Sequence, residues 1–123
     1  MADVVALVDD LFFQSKIVET ARHVGVELKL CGTGEAFLAE IAQSAPSLAI
    51  VDLNARSNPL DAIERLHASG NHVPVIGYLS HVQTELAERA KSAGCSEVMP
   101  RSKFTMNLAT ILAAAKSSTT KPQ

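Results

Sequence analysis

The chain lacks a block of charge of either sign. Its 11 Lys and Arg are set against 13 Asp and Glu, for a net charge of -2. Nothing here offers a surface to a polyanion, so direct nucleic-acid binding is not expected. Only two cysteines occur, Cys31 and Cys95, far apart and without CxxC spacing. That excludes a zinc ribbon and a dithiol redox motif, and both are expected to be buried thiols rather than a disulfide. A basic start followed by a long apolar core is missing, and no apolar run approaches the roughly 18 residues a membrane span needs. The expectation is a soluble cytoplasmic protein without membrane partners. No GxxxxGK loop is present, and Gly32-Thr33-Gly34 is too short and misplaced for a dinucleotide fingerprint, so nucleotide triphosphates and NAD find no support. The four histidines, His23, His67, His72 and His81, are scattered and never pair at i,i+4 as metal motifs do. They read as surface or loop residues, with His81, beside Ser80, the one expected near the site derived below.

At 123 residues the chain has the size of one domain, long enough for a substantial core. The stretch that organises it is Pro46-Ser47-Leu48-Ala49-Ile50-Val51-Asp52-Leu53-Asn54. Four apolar residues bounded by Pro and a polar loop predict a strand buried on both faces, as at the centre of a parallel sheet. Asp52 then stands at the carboxyl edge, where open α/β sheets place their ligands. The competing role for Asp52 is a turn residue that caps the next helix.

The same design occurs earlier, in Val4 to Val8 followed by Asp9-Asp10. A helix is expected from Phe12 to Val24 on the spacing of Phe13, Ile17, Val18, Ala21 and Val24, stopped by Gly25. Phe12 falls outside that stripe and is assigned to local packing rather than to a partner. Glu27 to Leu30 alternates as a strand, Thr33 caps a helix carrying Ala36 to Ala42, and a third helix runs from Leu60 to Ala68. Val73 to Leu79 is a fourth strand, Gln83 to Ala93 a fourth helix, Glu97 to Met99 a fifth strand, and Met106 to Ala115 a fifth helix. Residues 1–116 form the domain and 117–123 a polar C-terminal tail. Alternating strands and helices with short connections predict a flavodoxin-like, doubly wound, five-stranded parallel sheet in the order 2-1-3-4-5, with helices on both faces.

In that order the first and third strands are neighbours, and Asp9, Asp10 and Asp52 converge. Carboxylates a few Å apart repel by about 4 kcal/mol per pair at an effective dielectric of 20, so three together call for a cation. Mg2+ takes oxygen ligands, keeps several waters and is commonly held by one or two carboxylates plus phosphate oxygens. The site suits Mg2+ and a phosphoryl group, with an aspartate as nucleophile.

Several segments, in this order, resemble the receiver domain of the two-component response regulators, of the chemotaxis-regulator kind. They are Val8-Asp9-Asp10, Gly34-Glu35-Ala36, Ile50-Val51-Asp52-Leu53-Asn54, Val73-Pro74-Val75-Ile76 and Ala93-Gly94-Cys95. The resemblance implies that Asp52 is the phosphoacceptor, that Asp9 and Asp10 organise Mg2+, and that Asn54 is a metal ligand through its backbone carbonyl. It implies a histidine kinase or phosphotransfer protein as donor. It also implies a downstream protein engaged by the face of helix four, strand five and helix five, which allows a homodimer, and a signalling module rather than an enzyme.

The departures define an atypical member. The family's Thr or Ser at the end of strand four is matched by Leu79, with Ser80 one place later. Its Lys before Pro on strand five is matched by Arg101-Ser102, its switch aromatic by Val98, and the loop after Asp52 carries Arg56 in place of Pro. A hydrogen bond to a charged group is worth roughly 1.5 to 3 kcal/mol, and inverting a 1:99 equilibrium takes about 5.5. Loss of the hydroxyl at Leu79 thus removes a large share of the coupling, and a one-residue slip puts Ser80 on the other face. Arg101 keeps the charge but not the ammonium geometry. The expected function is a phosphorelay receiver with altered readout, using Asp52, Arg101 and Ser80 for chemistry. The alternative is a receiver-fold interaction module indifferent to phosphate; a small hydrolase or mutase using the same carboxylates is the least supported.

Overall fold

The computed structural model describes residues 2–80 and 83–119, with the side chains of 117–119 excepted. Five parallel strands, β1 (Val4–Leu7), β2 (Leu28–Cys31), β3 (Leu48–Asp52), β4 (Val75–Leu79) and β5 (Glu97–Pro100), lie in the order β2-β1-β3-β4-β5. This is the expected topology. Every residue of β1 and β3 is buried, whereas the edge strands β2 and β5 alternate or open to solvent. Continuous apolar runs therefore occupy the centre of the sheet, and mixed ones its margins.

Side-chain alternation sends each central strand into two cores. On one face Val5, Leu7, Ala49, Val51, Val75 and Leu79 meet α2 (Gly34–Ser44), α3 (Pro59–Ala68) and α4 (Thr84–Ala93). On the other, Val4, Ala6, Ile50, Tyr78 and Met99 meet α1 (Leu11–Val24), α5 (Arg101–Met106) and α6 (Leu108–Thr119). Gly77 in β4 allows the close approach of that first face: a Cβ there would lie 3.0 Å from Leu53 and 3.2 Å from the Cys95 sulfur.

Local chemistry sets the helix ends. The Asp10 carboxylate accepts from the Phe12 and Phe13 amides and starts α1, and Gly25, at φ +81°, ends it with its N–H on the Ala21 and Arg22 carbonyls. Thr33 caps α2 as expected, its hydroxyl oxygen accepting from the Ala36 amide at 3.1 Å. Cys31 and Cys95 are free, buried thiols.

Three expectations are corrected. The last helical region is two helices divided at Asn107, and the first of them, α5, begins directly at Arg101. It escaped the periodicity reading because six residues with one buried apolar position, Phe104, carry too little pattern. The final helix also runs on to Thr119, past Ala115. Phe12 is not packed locally; it is 90% exposed.

Candidate functional site at the carboxyl edge of the sheet

Asp52 closes β3 and is 3% exposed. It does not cap the next helix, which starts at Asn58 and Pro59. Its Oδ1 instead accepts the Asn54 amide at 2.9 Å, a local turn that fixes the carboxyl as the chain leaves the sheet. Burial lifts the Asp52 carboxyl above its ordinary range. The Asn54 amide and the Arg101 guanidinium act against that, and the charges of Asp9 and Asp10 reinforce it. The charges of Asp9 and Asp10 thus reach Asp52 across the β1–β3 switch point.

Each acid is already engaged. Asp9 is exposed, and its Oδ2 accepts the backbone N–H of Arg56 at 2.9 Å. Arg56 thus ties the β3–α3 loop to the β1 end through its main-chain N–H, a bond proline could not donate. Asp10 spends Oδ1 on the first turn of α1, at 3.0 Å from the Phe12 amide, and sets Oδ2 3.6 Å from the Arg101 guanidinium. Arg101 lies over the Phe13 ring, 5.1 Å from its centroid. Two further candidates are joined to each other: the Asn54 side-chain oxygen accepts from both the Ser80 amide, at 2.7 Å, and the Ser80 hydroxyl, at 2.8 Å. The Asn54 side-chain nitrogen donates to the Gln83 amide oxygen at 3.1 Å.

Among the described residues, no three carboxylate, imidazole or thiol groups gather so as to hold a metal ion by themselves. Asp9 and Asp52 each keep one carboxylate oxygen without a hydrogen bond among the described residues. Oxygens of this kind are what Mg2+ takes when it retains water. Asp10 would join only by giving up Arg101. Of the remaining candidates, Leu79 is buried in the core away from Asp52's face, and Val98 is half-buried on β5. His81 lies outside the described residues, and His23, His67 and His72 are exposed and remote in sequence from the site.

Tyr78 was not anticipated as part of this region. It pairs in register with Asp52, is completely buried, stacks on Phe104 with centroids 4.7 Å apart and tilts against Phe13 at 5.0 Å. Strand parity was the available signal: once β3 and β4 are neighbours, residues 52 and 78 point to the same face.

A doubly wound parallel sheet with carboxylates at its switch point is the architecture in which open α/β sheets place their sites. Comparison with solved structures narrows this to the receiver-domain fold. The receiver domain of Francisella response regulator 1452 superposes with a TM-score of 0.81 at 15% identity, over 97% of this chain and 99% of that one. The chemotaxis response regulator CheY4 of Vibrio cholerae gives 0.79 at 17% identity, over 94% and 98%. The signal receiver domain of a Mycobacterium tuberculosis response regulator, NarL, gives 0.78 at 17% identity, over 94% and 96%. No protein-family model matches the sequence, and no curated protein does. The likeness is one of fold, carried by strand order and core pattern with few shared residues.

Proposed function

We propose that the chain is a receiver module of a phosphorelay, taking a phosphoryl group on Asp52 and signalling through protein contacts rather than by turnover. One observation carries this reading: a nearly buried carboxylate at the end of the central strand, with Asp9, Asp10 and Arg101 all acting on it. In the transfer, a carboxylate oxygen of Asp52 forms the new bond to phosphorus as the bond to the donor's leaving group breaks, and the electron pair departs with that group. Mg2+, when bound, would neutralise the phosphoryl oxygens; Asp9, Asp52 and the Asn54 carbonyl would hold it, with Asp10 in reserve. The donor would be a histidine kinase or phosphotransfer protein. Exposed Glu85, Glu88, Arg89 and Lys91 on α4 offer a polar face, continuous in the fold with β5, to a downstream protein or a second copy. No helix among the described residues is long and apolar enough to cross a membrane.

The test is intact-mass analysis after incubation with acetyl phosphate and Mg2+. The wild-type chain should gain one phosphoryl group, and Asp52→Asn or a chelator should abolish the gain. An unmodified wild type, or an adduct that persists in Asp52→Asn, overturns the reading.

A second reading has its own observation. Arg101 already balances Asp10, Ser80 is held by Asn54, and Leu79 brings no hydroxyl; such a pocket suits an interaction module that works without phosphate. Partner affinity unchanged by Asp52→Asn would favour it.

A further inference from the structure

Tyr78 is the chain's single tyrosine. Its backbone is paired with Asp52, and residues 48 and 50 of β3 and 76 and 78 of β4 belong to the core facing α1, α5 and α6. Asp52 and Tyr78 therefore project to the same side from adjacent strands. The phenol ring is fixed between Phe104 and Phe13, yet its hydroxyl is buried without a hydrogen-bond partner among the described residues. Such orphans are uncommon, and each calls for a physical account. A second one belongs to a neighbour of the same ring: the Nε of Arg101, whose guanidinium covers Phe13, is also buried and without a partner among the described residues. Two unused donors thus stand on the face to which Asp52 points. Of the charges acting on the phenol, that of Asp52 is the strongest. The other hydroxyl at this end of β4, that of Ser80, is donated to Asn54, and Leu79 faces the opposite core.

We propose that Tyr78 is a positioning residue for Asp52: its hydroxyl donates to the oxygens that collect at the end of β3 when Asp52 carries an added phosphoryl group, supplying the hydrogen bond that Leu79 lacks. This inference rests on the assignment of Asp52 as phosphoacceptor. The resting hydroxyl has already lost its water, so forming that bond brings no further desolvation of the donor. Phe13 and Phe104 hold the ring while the new charge selects the hydroxyl's orientation. Arg101, resting on the same Phe13, is placed to follow.

The experiment titrates the full chain with beryllofluoride in the presence of Mg2+, as a stand-in for the acyl phosphate, and reads binding by fluorine NMR in every variant. Wild type, Tyr78→Phe and Asp52→Asn are compared. Tyr78→Phe should weaken binding about tenfold, the low end of what a hydrogen bond to a charged group supplies, while its thermal midpoint stays level or rises because an orphan hydroxyl is gone. Weakened binding beside a thermal midpoint that does not fall is a result a purely structural role for Tyr78 would not produce, since lost packing would lower both. Equal affinity in wild type and Tyr78→Phe overturns the inference. A bound fluorine signal that is missing in wild type, or unchanged in Asp52→Asn, overturns the Asp52 assignment beneath it, and the two failures are told apart by that control.

Discussion

The guanidinium of Arg101 lies 3.6 Å from the Asp10 carboxylate, joining the first residue of α5 to the cap of α1 across the mouth of the acidic pocket. Both side chains are about a third exposed, 37% and 34%, so solvent screening keeps the pair within the 0–1 kcal/mol of surface ion pairs. Stacking on Phe13 adds about 0.5–1 kcal/mol. Arg101→Gln should therefore lower stability by about 1 kcal/mol in urea denaturation. It should also release Asp10 to a cation, so Mg2+ should raise the thermal midpoint of Arg101→Gln more than that of wild type. Equal metal-induced shifts would mean that Arg101 does not compete for the pocket.

Asp52 gives a pH dependence of definite sign. Burial raises its folded-state pKa above the ordinary value of 3.8. Between those two values the folded chain binds more protons than the unfolded one, so Asp52's contribution to stability is intact below the ordinary value and is lost as pH rises through the folded value. Subtracting Asp52→Asn from wild type across a series of urea melts isolates this term from the other carboxylates. The difference should tilt against wild type as pH increases through that window and become level above it. A difference that runs the other way would mean that Arg101 and the Asn54 amide outweigh burial.

Asn54 ties the β3–α3 loop to the β4–α4 loop at two points, Ser80 and Gln83. Its Oδ1 alone takes two donors from Ser80. Asn54→Ala should free the Ser80 hydroxyl and speed exchange of the Ser80 amide by about tenfold, the equivalent of one ordinary hydrogen bond near 1.4 kcal/mol. Global stability should fall by less than about 1 kcal/mol, since these groups are exposed and water replaces the lost partners. Unchanged Ser80 exchange would place the restraint on this residue elsewhere.

The five strands and both acidic strand ends were legible because buried parallel strands announce themselves as short apolar runs, and a polar residue at the end of one can lie only at the sheet edge; the order 2-1-3-4-5 came with the flavodoxin-like fold class. Asp9, Asp10 and Asp52 were found on that ground alone. The commitments of their oxygens were not legible. That Asp10 would cap α1, that Arg101 would reach it, and that the Arg56 amide would bind Asp9 depend on where three separate loops come to rest. Tyr78 was hidden for a different reason. A tyrosine in a buried strand reads as core, and only the register of β4 against β3 turns it into a neighbour of Asp52. The short α5 was missed because a helix that follows its strand without a loop leaves no punctuation, and Pro100 was the sole marker before it.

Phe12 and Phe13 sit side by side with opposite fates, and they provide a direct measure of how α1 is oriented. Phe13 is 6% exposed and closes the aromatic group with Tyr78 and Phe104, whereas Phe12 is 90% exposed. Truncating a buried phenylalanine removes its transfer free energy and leaves a cavity, typically 3–5 kcal/mol. Phe13→Ala should cost about that much and, by removing Arg101's platform, should also loosen the ion pair with Asp10. Phe12→Ser changes a side chain already in water and should stay within about 0.5 kcal/mol. Both are checked by urea denaturation on one preparation. If Phe12→Ser proved as damaging as Phe13→Ala, the helix would have to be rotated by about 100° about its axis, and the Asp10 cap, the Arg101 contact and the aromatic support beneath Asp52 would all have to be redrawn.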